Sequence, residues 1–170
     1  LCAAIISDTL MFRSPTCTDI DKSVCQSLGK IAGINIPKFA SSMFNAGSRL
    51  SDKSDEEIFN QDYKIFTSDN FTFGIGQITS FDEDILNNLK PRLLEYMMHI
   101  YPDKDVDMLF FMLTNIYTEN TELLYYGKDA EQLLAKAFKL ELVSGGSIKL
   151  ENVVSRKKQV IPTIMIAANE

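Results

Sequence analysis

The run Ser155-Arg156-Lys157-Lys158-Gln159 concentrates three positive charges near the end of a chain whose net charge is −6. Ser155 is a good helix N-cap, and the apolar sequence after the run is long enough for a packed helix. A helix N-terminus disfavours nearby cations by roughly 0.3–1 kcal/mol each at an exposed site. A bound anion reverses that effect, because backbone N–H groups, an Arg fork and Lys charges together suit phosphate. The run therefore predicts a phosphate site, with a solvated basic patch as the alternative.

Asp8 is a second candidate for phosphate chemistry. It stands between Ser7 and Thr9, where an apolar run ends. A carboxylate at the end of a strand is a plausible ligand for Mg²⁺ or Mn²⁺, since these ions prefer oxygen. A helix or turn cap is the alternative role for the same side chain.

Lys64 is the third candidate. It belongs to the segment Asp62-Tyr63-Lys64-Ile65-Phe66, in which the alternation of a strand puts Asp62, Lys64 and Phe66 on one face. A lysine on the same face as a phenylalanine either is held for a ligand or extends its amine to solvent at the edge of a sheet.

Composition excludes several classes of function. The single histidine, His99, leaves no convincing Ser-His-Asp or Cys-His system. The acidic net charge argues against nucleic acid as a partner, and no apolar run approaches the length of a membrane span. The three cysteines fall within the first 25 residues and form neither a disulfide framework nor a zinc motif, which favours a reducing cytoplasm.

The elements that must position these residues alternate between strands and helices. The continuous apolar residues 1–6 predict a buried strand of a parallel sheet, and ligands bind at the carboxyl ends of such strands. Residues 144–147, with two adjacent glycines, predict a hairpin. Pro162 leaves open a later start for the last helix. Further helices are predicted over residues 18–32, 36–46, 82–101 and 128–138, with a short one opening at 54, and further strands over 62–67, 71–79, 108–116 and 122–126. This alternation predicts the α/β class.

The domain organisation follows from the polar residues 48–54, which predict a linker. Residues 1–47 then form the end of one domain, and residues 55–170 form a second domain. Because the chain lacks an initial Met and starts within the predicted strand, we expect it to be a fragment of a longer protein.

Read together, these segments resemble one family. Residues 4–16 are similar to the strand-and-loop motif of the family II, manganese-dependent inorganic pyrophosphatases of the DHH phosphoesterase superfamily, and residues 154–159 are similar to that family's C-terminal signature. Residues 62–66 fit its Asp-x-Lys-x-Phe pattern, and residues 75–78, Ile-Gly-Gln-Ile, fit the strand that follows. The likeness spans all 170 residues in the right order.

The resemblance implies a two-domain enzyme that hydrolyses pyrophosphate to two phosphates between its domains, using two or more Mn²⁺ ions, or Mg²⁺ or Co²⁺. It implies that Asp8 is a catalytic metal ligand and that Lys64, Arg156 and Lys157 bind substrate phosphates. The implied fold is α/β: the last strand and helices of a DHH-type parallel catalytic domain (1–47), then a linker, then a DHH-associated substrate-binding domain with a mixed sheet flanked by helices (55–170).

The family's Asp-His-His motif does not occur in this sequence. We therefore expect a missing N-terminal DHH domain as partner, and a chain that is inactive alone. The resemblance also implies a homodimeric parent with pyrophosphate and phosphate as ligands. The cysteines, the acidic charge and the short apolar runs predict a cytoplasmic protein with neither nucleic acid nor membrane as a partner. Two alternatives stay open: an exopolyphosphatase-type DHH phosphoesterase, and a phosphate-binding module without catalysis.

Overall fold

The computed structural model describes residues 1–47, 50, 53–141 and 145–169. The chain divides into two compact units, Leu1–Ser51 and Asp52–Glu170, which are described separately. Residues 48, 49, 51 and 52, which belong to the predicted linker, lie outside the described residues. No helix in the described ranges combines the length and the apolar composition needed to cross a bilayer.

The described part of the first unit contains three α-helices: α1 (Cys2–Asp8), α2 (Asp19–Ala32) and α3 (Ile36–Gly47). Their buried core is formed by one residue from each helix, namely Ile6, Cys25 and Ala40. Helix α2 begins and ends as its sequence predicts, with a capping box formed by Thr18 and Asp21 and a left-handed Gly33 at its C-cap.

The predicted strand over residues 1–6 is wrong, because this segment forms α1. An uninterrupted apolar run does not distinguish a buried strand from a buried helix. Ala3 and Ala4 favour the helix, and only Ile6 is fully buried in it. Asp8 therefore lies at the end of a helix and not at the end of a parallel strand.

The second unit is built on a five-stranded sheet of order β1-β2-β3-β4-β5. Strands β2 and β3 are parallel, and the other neighbours are antiparallel, so the sheet is mixed as predicted. The strands are β1 (Lys64–Thr67), β2 (Thr72–Ser80), β3 (Met108–Asn115), β4 (Asn120–Gly127) and β5 (Ser147–Leu150). All eight residues of β3 are buried, which is expected for a central strand.

Helices cover both faces of this sheet. The helices are α4 (Asp55–Asn60), α5 (Glu83–Ile100), α6 (Ala130–Phe138) and α7 (Ile161–Asn169), with a short 3₁₀ helix at Tyr101–Asp103. Helix α5 provides the crossover that the parallel pair β2–β3 requires. Helices α6 and α7 pack on the face formed by Phe73, Ile75, Phe110, Met112 and Leu123.

The hairpin predicted over residues 144–147 is not seen in the described residues. Ser144 lies outside them, and the strand that begins at Ser147 pairs with β4 in antiparallel register. The other predicted strands and helices of this unit are confirmed, with boundaries that shift by about two residues.

Candidate functional site

The basic run forms the first turn of the last helix. Ser155 is the N-cap, and its hydroxyl accepts a hydrogen bond from the backbone N–H of Lys158 at 3.2 Å. The turn Arg156–Val160 is π-helical and leads directly into α7. Pro162 is therefore the second residue of α7, and the basic run lies inside the helix and not in a preceding loop. Single π turns within α-helices often occur at functional sites.

Arg156 is buried, and its side chain is only 9% exposed. Its Nη1 donates to the backbone carbonyls of Asp62 and of Ile75, and its Nη2 donates to the Asp62 carboxylate at 2.9 Å. The three cations of the basic run therefore have different environments. Lys157 and Lys158 are exposed, whereas Arg156 joins the helix to the sheet.

Lys64 and Arg156 are both neighbours of one residue of β2, Ile75. Lys64 pairs with Ile75 across the β1–β2 ladder, and the carbonyl of Ile75 is also an acceptor for Arg156, at 3.3 Å. Lys64 is exposed, while Phe66 on the same face packs against the core. The structure thus brings together two of the predicted phosphate ligands around one residue of β2.

Two glutamines fix the segment that enters the basic turn. Gln159 Oε1 accepts from the backbone N–H groups of Val154, at 3.0 Å, and Ser155, at 2.9 Å. Gln159 Nε2 donates to the carbonyl of Asn152 at 2.7 Å. Gln77 Nε2 donates to the carbonyl of Val154 at 3.0 Å. Val154 is therefore held at both its N–H and its C=O, which fixes where the helix starts.

Hydroxyl groups of the sheet support the same segment. Thr121 Oγ1 donates to the carbonyl of Val153 at 2.6 Å, and it lies 2.9 Å from Thr114 Oγ1. Thr114 Oγ1 in turn accepts from Gln77 Nε2 at 3.0 Å. Because Thr114 and Thr121 are fully buried, these satisfied hydrogen bonds make the approach to the basic turn rigid.

These positioning residues were not found from the sequence. Gln77 belongs to the Ile-Gly-Gln-Ile segment that resembles the family, but its hydrogen-bond partner Val154 is 77 positions away in the chain. Asp62 shares a predicted strand face with Lys64, but its partner Arg156 is 94 positions away. Gln159 is the residue that a local signal could have identified. It follows the N-cap Ser155 by four residues, and a helical side chain at that spacing can reach back to the backbone at the helix start.

Asp8 belongs to the other unit and is exposed at the end of α1. The next residue, Thr9, is buried, and its hydroxyl donates to the Ile5 carbonyl at 2.7 Å and accepts from the Phe12 N–H at 3.1 Å. Leu10, Met11 and Phe12 all have positive φ, between 47° and 70°. Such backbone is costly for residues other than glycine, and Thr9 stabilises it here.

The metal ion that the resemblance implies would need several ligands around Asp8. Asp8 offers the oxygen that such ions prefer. In the part of the chain that the structure describes, however, no three His, Cys, Asp or Glu side chains are grouped so that they could hold a metal ion. These residues do not fit a complete metal centre, so Asp8 could be one ligand among others at most.

Lys64, Lys157 and Lys158 are exposed, and these cations, the helix start and the buried arginine are all groups that suit an anion. A guanidinium has five N–H donors, and Arg156 uses three of them on acceptors among the described residues. The other two N–H groups of Arg156 have no acceptor among the described residues. Planar N–H pairs of this kind bind phosphate in a bidentate manner.

Comparison with known proteins shows which family this chain belongs to. The model of a family described as the DHHA2 domain matches residues 41–167. The chain belongs to the DHHA2 domain family. The DHHA2 match includes Lys64 and the whole basic turn.

Relatives of this DHHA2 chain carry the names that its motifs predict. It is 42% identical to the cobalt-dependent inorganic pyrophosphatase of Clostridium perfringens, over 96% of this chain and 30% of that protein. It is 38% identical to the manganese-dependent inorganic pyrophosphatase of Methanocaldococcus jannaschii, over 99% of this chain and 54% of that protein. The resemblance to the inorganic pyrophosphatases is confirmed, and the chain spans about half or less of the length of these relatives.

A solved structure confirms the fold. The chain superimposes with a TM-score of 0.86 on a crystal structure from Methanococcus jannaschii that is assigned to the family II inorganic pyrophosphatases. The two sequences are 37% identical, and the match covers 99% of this chain and 54% of the other. The mixed sheet flanked by helices therefore exists in a solved relative.

Proposed function

We propose that this chain is the C-terminal part of a metal-dependent inorganic pyrophosphatase, which hydrolyses pyrophosphate to two phosphates. The chain contributes the cationic phosphate-binding surface and one metal ligand. The observation that carries this proposal is the juxtaposition at Ile75, which pairs with Lys64 and accepts a hydrogen bond from Arg156. The names of the relatives support the same activity.

The side chains of the second unit bind and orient the substrate in this proposal. Lys64 and Lys157 place ammonium groups on the phosphates, and Arg156 offers its two remaining N–H groups. These cations offset the negative charge of pyrophosphate and of the leaving phosphate, which lowers the barrier to P–O cleavage. The rigid Val154 segment limits how far Lys157 can move from its position.

Asp8 supplies one carboxylate ligand in the proposal, and the remaining ligands come from the missing N-terminal DHH domain. When bound, an ion there, Mn²⁺ or Co²⁺ by analogy with the names of the relatives, would supply Lewis-acid activation of water and of the phosphoryl group. In this arrangement residues 1–47 end the DHH domain and residues 55–170 form the substrate-binding domain. A cytoplasmic location, a homodimeric parent and inactivity of the chain alone stay predictions.

The test is phosphate release from pyrophosphate by the parent protein, with and without Mn²⁺ or Co²⁺. We expect metal-dependent hydrolysis that Asp8→Ala abolishes, and an Arg156→Ala variant with a raised KM and a lowered kcat. A parent that releases no phosphate with any of these metals would contradict the proposal. Tripolyphosphate and longer chains, assayed beside pyrophosphate, test the substrate class, and a preference for the longer chains would also contradict it.

A further inference from the structure

The contacts of Asp62 with Arg156 involve two different groups of the aspartate. Its backbone carbonyl accepts from Nη1, and its carboxylate accepts from Nη2 at 2.9 Å. The Asp62 side chain is 45% exposed, whereas that of Arg156 is 9% exposed. The carboxylate therefore lies where the buried arginine meets the solvent, two residues before Lys64.

The pattern of these bonds shows which N–H groups of the guanidinium have no acceptor among the described residues. Nη1 donates to two carbonyls, of Asp62 and Ile75, which uses both of its N–H groups. Nη2 donates once, to Asp62. The remaining N–H groups belong to Nε and Nη2, which lie side by side on one edge of the planar group. That edge is a two-donor fork of the kind that matches two oxygens of a phosphate.

We propose that Asp62 is a positioning residue that orients Arg156 so that its Nε–Nη2 edge faces a substrate phosphate. This inference rests on the proposed function and adds a residue to it. Asp62 does not touch the substrate. Its carboxylate also offsets the charge of Arg156, so the attraction for free anions comes mainly from Lys64, Lys157 and Lys158.

The two effects of Asp62 act on different kinetic parameters. Loss of orientation lowers kcat, because a misplaced donor no longer matches the transition state. Loss of the negative charge strengthens the binding of phosphate groups, because the carboxylate no longer repels them or offsets the charge of Arg156. A residue with a merely structural role would not produce tighter ground-state binding together with slower turnover.

The test compares Asp62→Ala, which removes both the acceptor oxygen and the charge, with the wild-type parent in pyrophosphate hydrolysis and in calorimetric binding of inorganic phosphate. We expect kcat to fall between about tenfold and a hundredfold. We expect KM to fall, and phosphate to bind roughly threefold to tenfold more tightly, as one partly screened charge is removed. Asp55→Ala is the matched control, because Asp55 pairs with Arg92 at 2.6 Å in the same unit, and its kcat, KM and phosphate affinity should equal those of wild type.

A second variant keeps the test decisive if Asp62→Ala does not fold. Asp62→Glu retains the charge but moves the carboxylate by one methylene, so kcat should fall while phosphate affinity stays at the wild-type value. An active parent in which both Asp62 variants keep wild-type kcat and KM would overturn this inference alone. A wild-type parent that does not hydrolyse pyrophosphate would overturn the proposed function, and this inference with it.

Discussion

The side chain of Gln159 holds the backbone of Val154, five residues earlier, through a hydrogen bond of 3.0 Å from the Val154 N–H to Oε1. The same amide also binds Ser155 and Asn152, so one side chain satisfies three backbone groups. Since the carbonyl of Val154 is bound by Gln77, the entrance to the basic turn is fixed from two sides.

Gln159→Ala should therefore destabilise the chain by about 1–3 kcal/mol, because the partly buried N–H groups of Val154 and Ser155 lose their acceptor. The measurement is urea unfolding followed by circular dichroism. Gln132→Ala is the matched control, since Gln132 is exposed on α6 in the same unit, and its midpoint should stay close to that of wild type. Equal midpoints for the two variants would show that the Gln159 contacts contribute nothing.

Tyr63→Phe should not destabilise the chain, in contrast to Gln159→Ala. The Tyr63 hydroxyl is buried and has no hydrogen-bond partner among the described residues, and burial raises the pKa of this side chain. Removing the hydroxyl should leave stability unchanged or raise it by up to about 1 kcal/mol, because an unpaired polar group no longer has to be desolvated. The ring and its contact with Phe59, at a centroid distance of 5.0 Å, remain.

Tyr101→Phe is the comparison for this measurement. The Tyr101 hydroxyl donates to the carbonyl of Asp107 at 2.9 Å, so its removal should cost roughly 1 kcal/mol. Thermal unfolding of both variants gives the signs directly. A clear loss of stability in Tyr63→Phe would mean that its hydroxyl does have a partner in solution.

Stability at alkaline pH should depend on Cys25. Burial, together with the Cys2 thiol 3.3 Å away, raises the pKa of the Cys25 thiol from its ordinary value of 9.0 to about 11. The folded state thus binds this proton more tightly than the unfolded state does. The resulting stabilisation is complete below pH 9, and it is lost as the pH rises from 9 through 11.

The measurement is the unfolding free energy of the chain between pH 8 and pH 11, for wild type and for Cys25→Ala. The variant should lose less stability over this interval than wild type does. Ser27→Ala is the control, because Ser27 is exposed on α2 and its hydroxyl does not titrate over this interval. Identical slopes for wild type and Cys25→Ala would contradict the predicted linkage.

Local signals in the sequence predicted much of this fold. Thr18 and Gly33 marked the ends of α2, and Ser54 marked the start of α4, because caps depend on residues close in the chain. The apolar run at residues 1–6 was misread as a strand, because a continuous apolar run shows neither the period of a strand nor that of a helix. The π-helical turn left no signal, since its ladder differs from that of an α-helix only in hydrogen-bond spacing.

The candidate site was predicted less completely. Lys64, Arg156 and Lys157 were found from charge, spacing and resemblance, but the burial of Arg156 was not. Its partners Asp62 and Ile75 lie 94 and 81 positions away, and no local rule connects such distant residues. The role of Gln77 was missed for the same reason, because it depends on how strand and helix pack.

The most direct test of the central claim is the pyrophosphatase kinetics of Lys64→Ala and Lys157→Ala in the parent protein. Lys149→Ala is the control, since Lys149 is exposed on β5, at the opposite edge of the sheet from β1. If these lysines bind substrate phosphates, each substitution should lower kcat/KM by about tenfold to a hundredfold, as expected for the loss of a charged hydrogen bond. Values of kcat/KM equal to those of wild type and Lys149→Ala would contradict the claim that this surface binds the substrate.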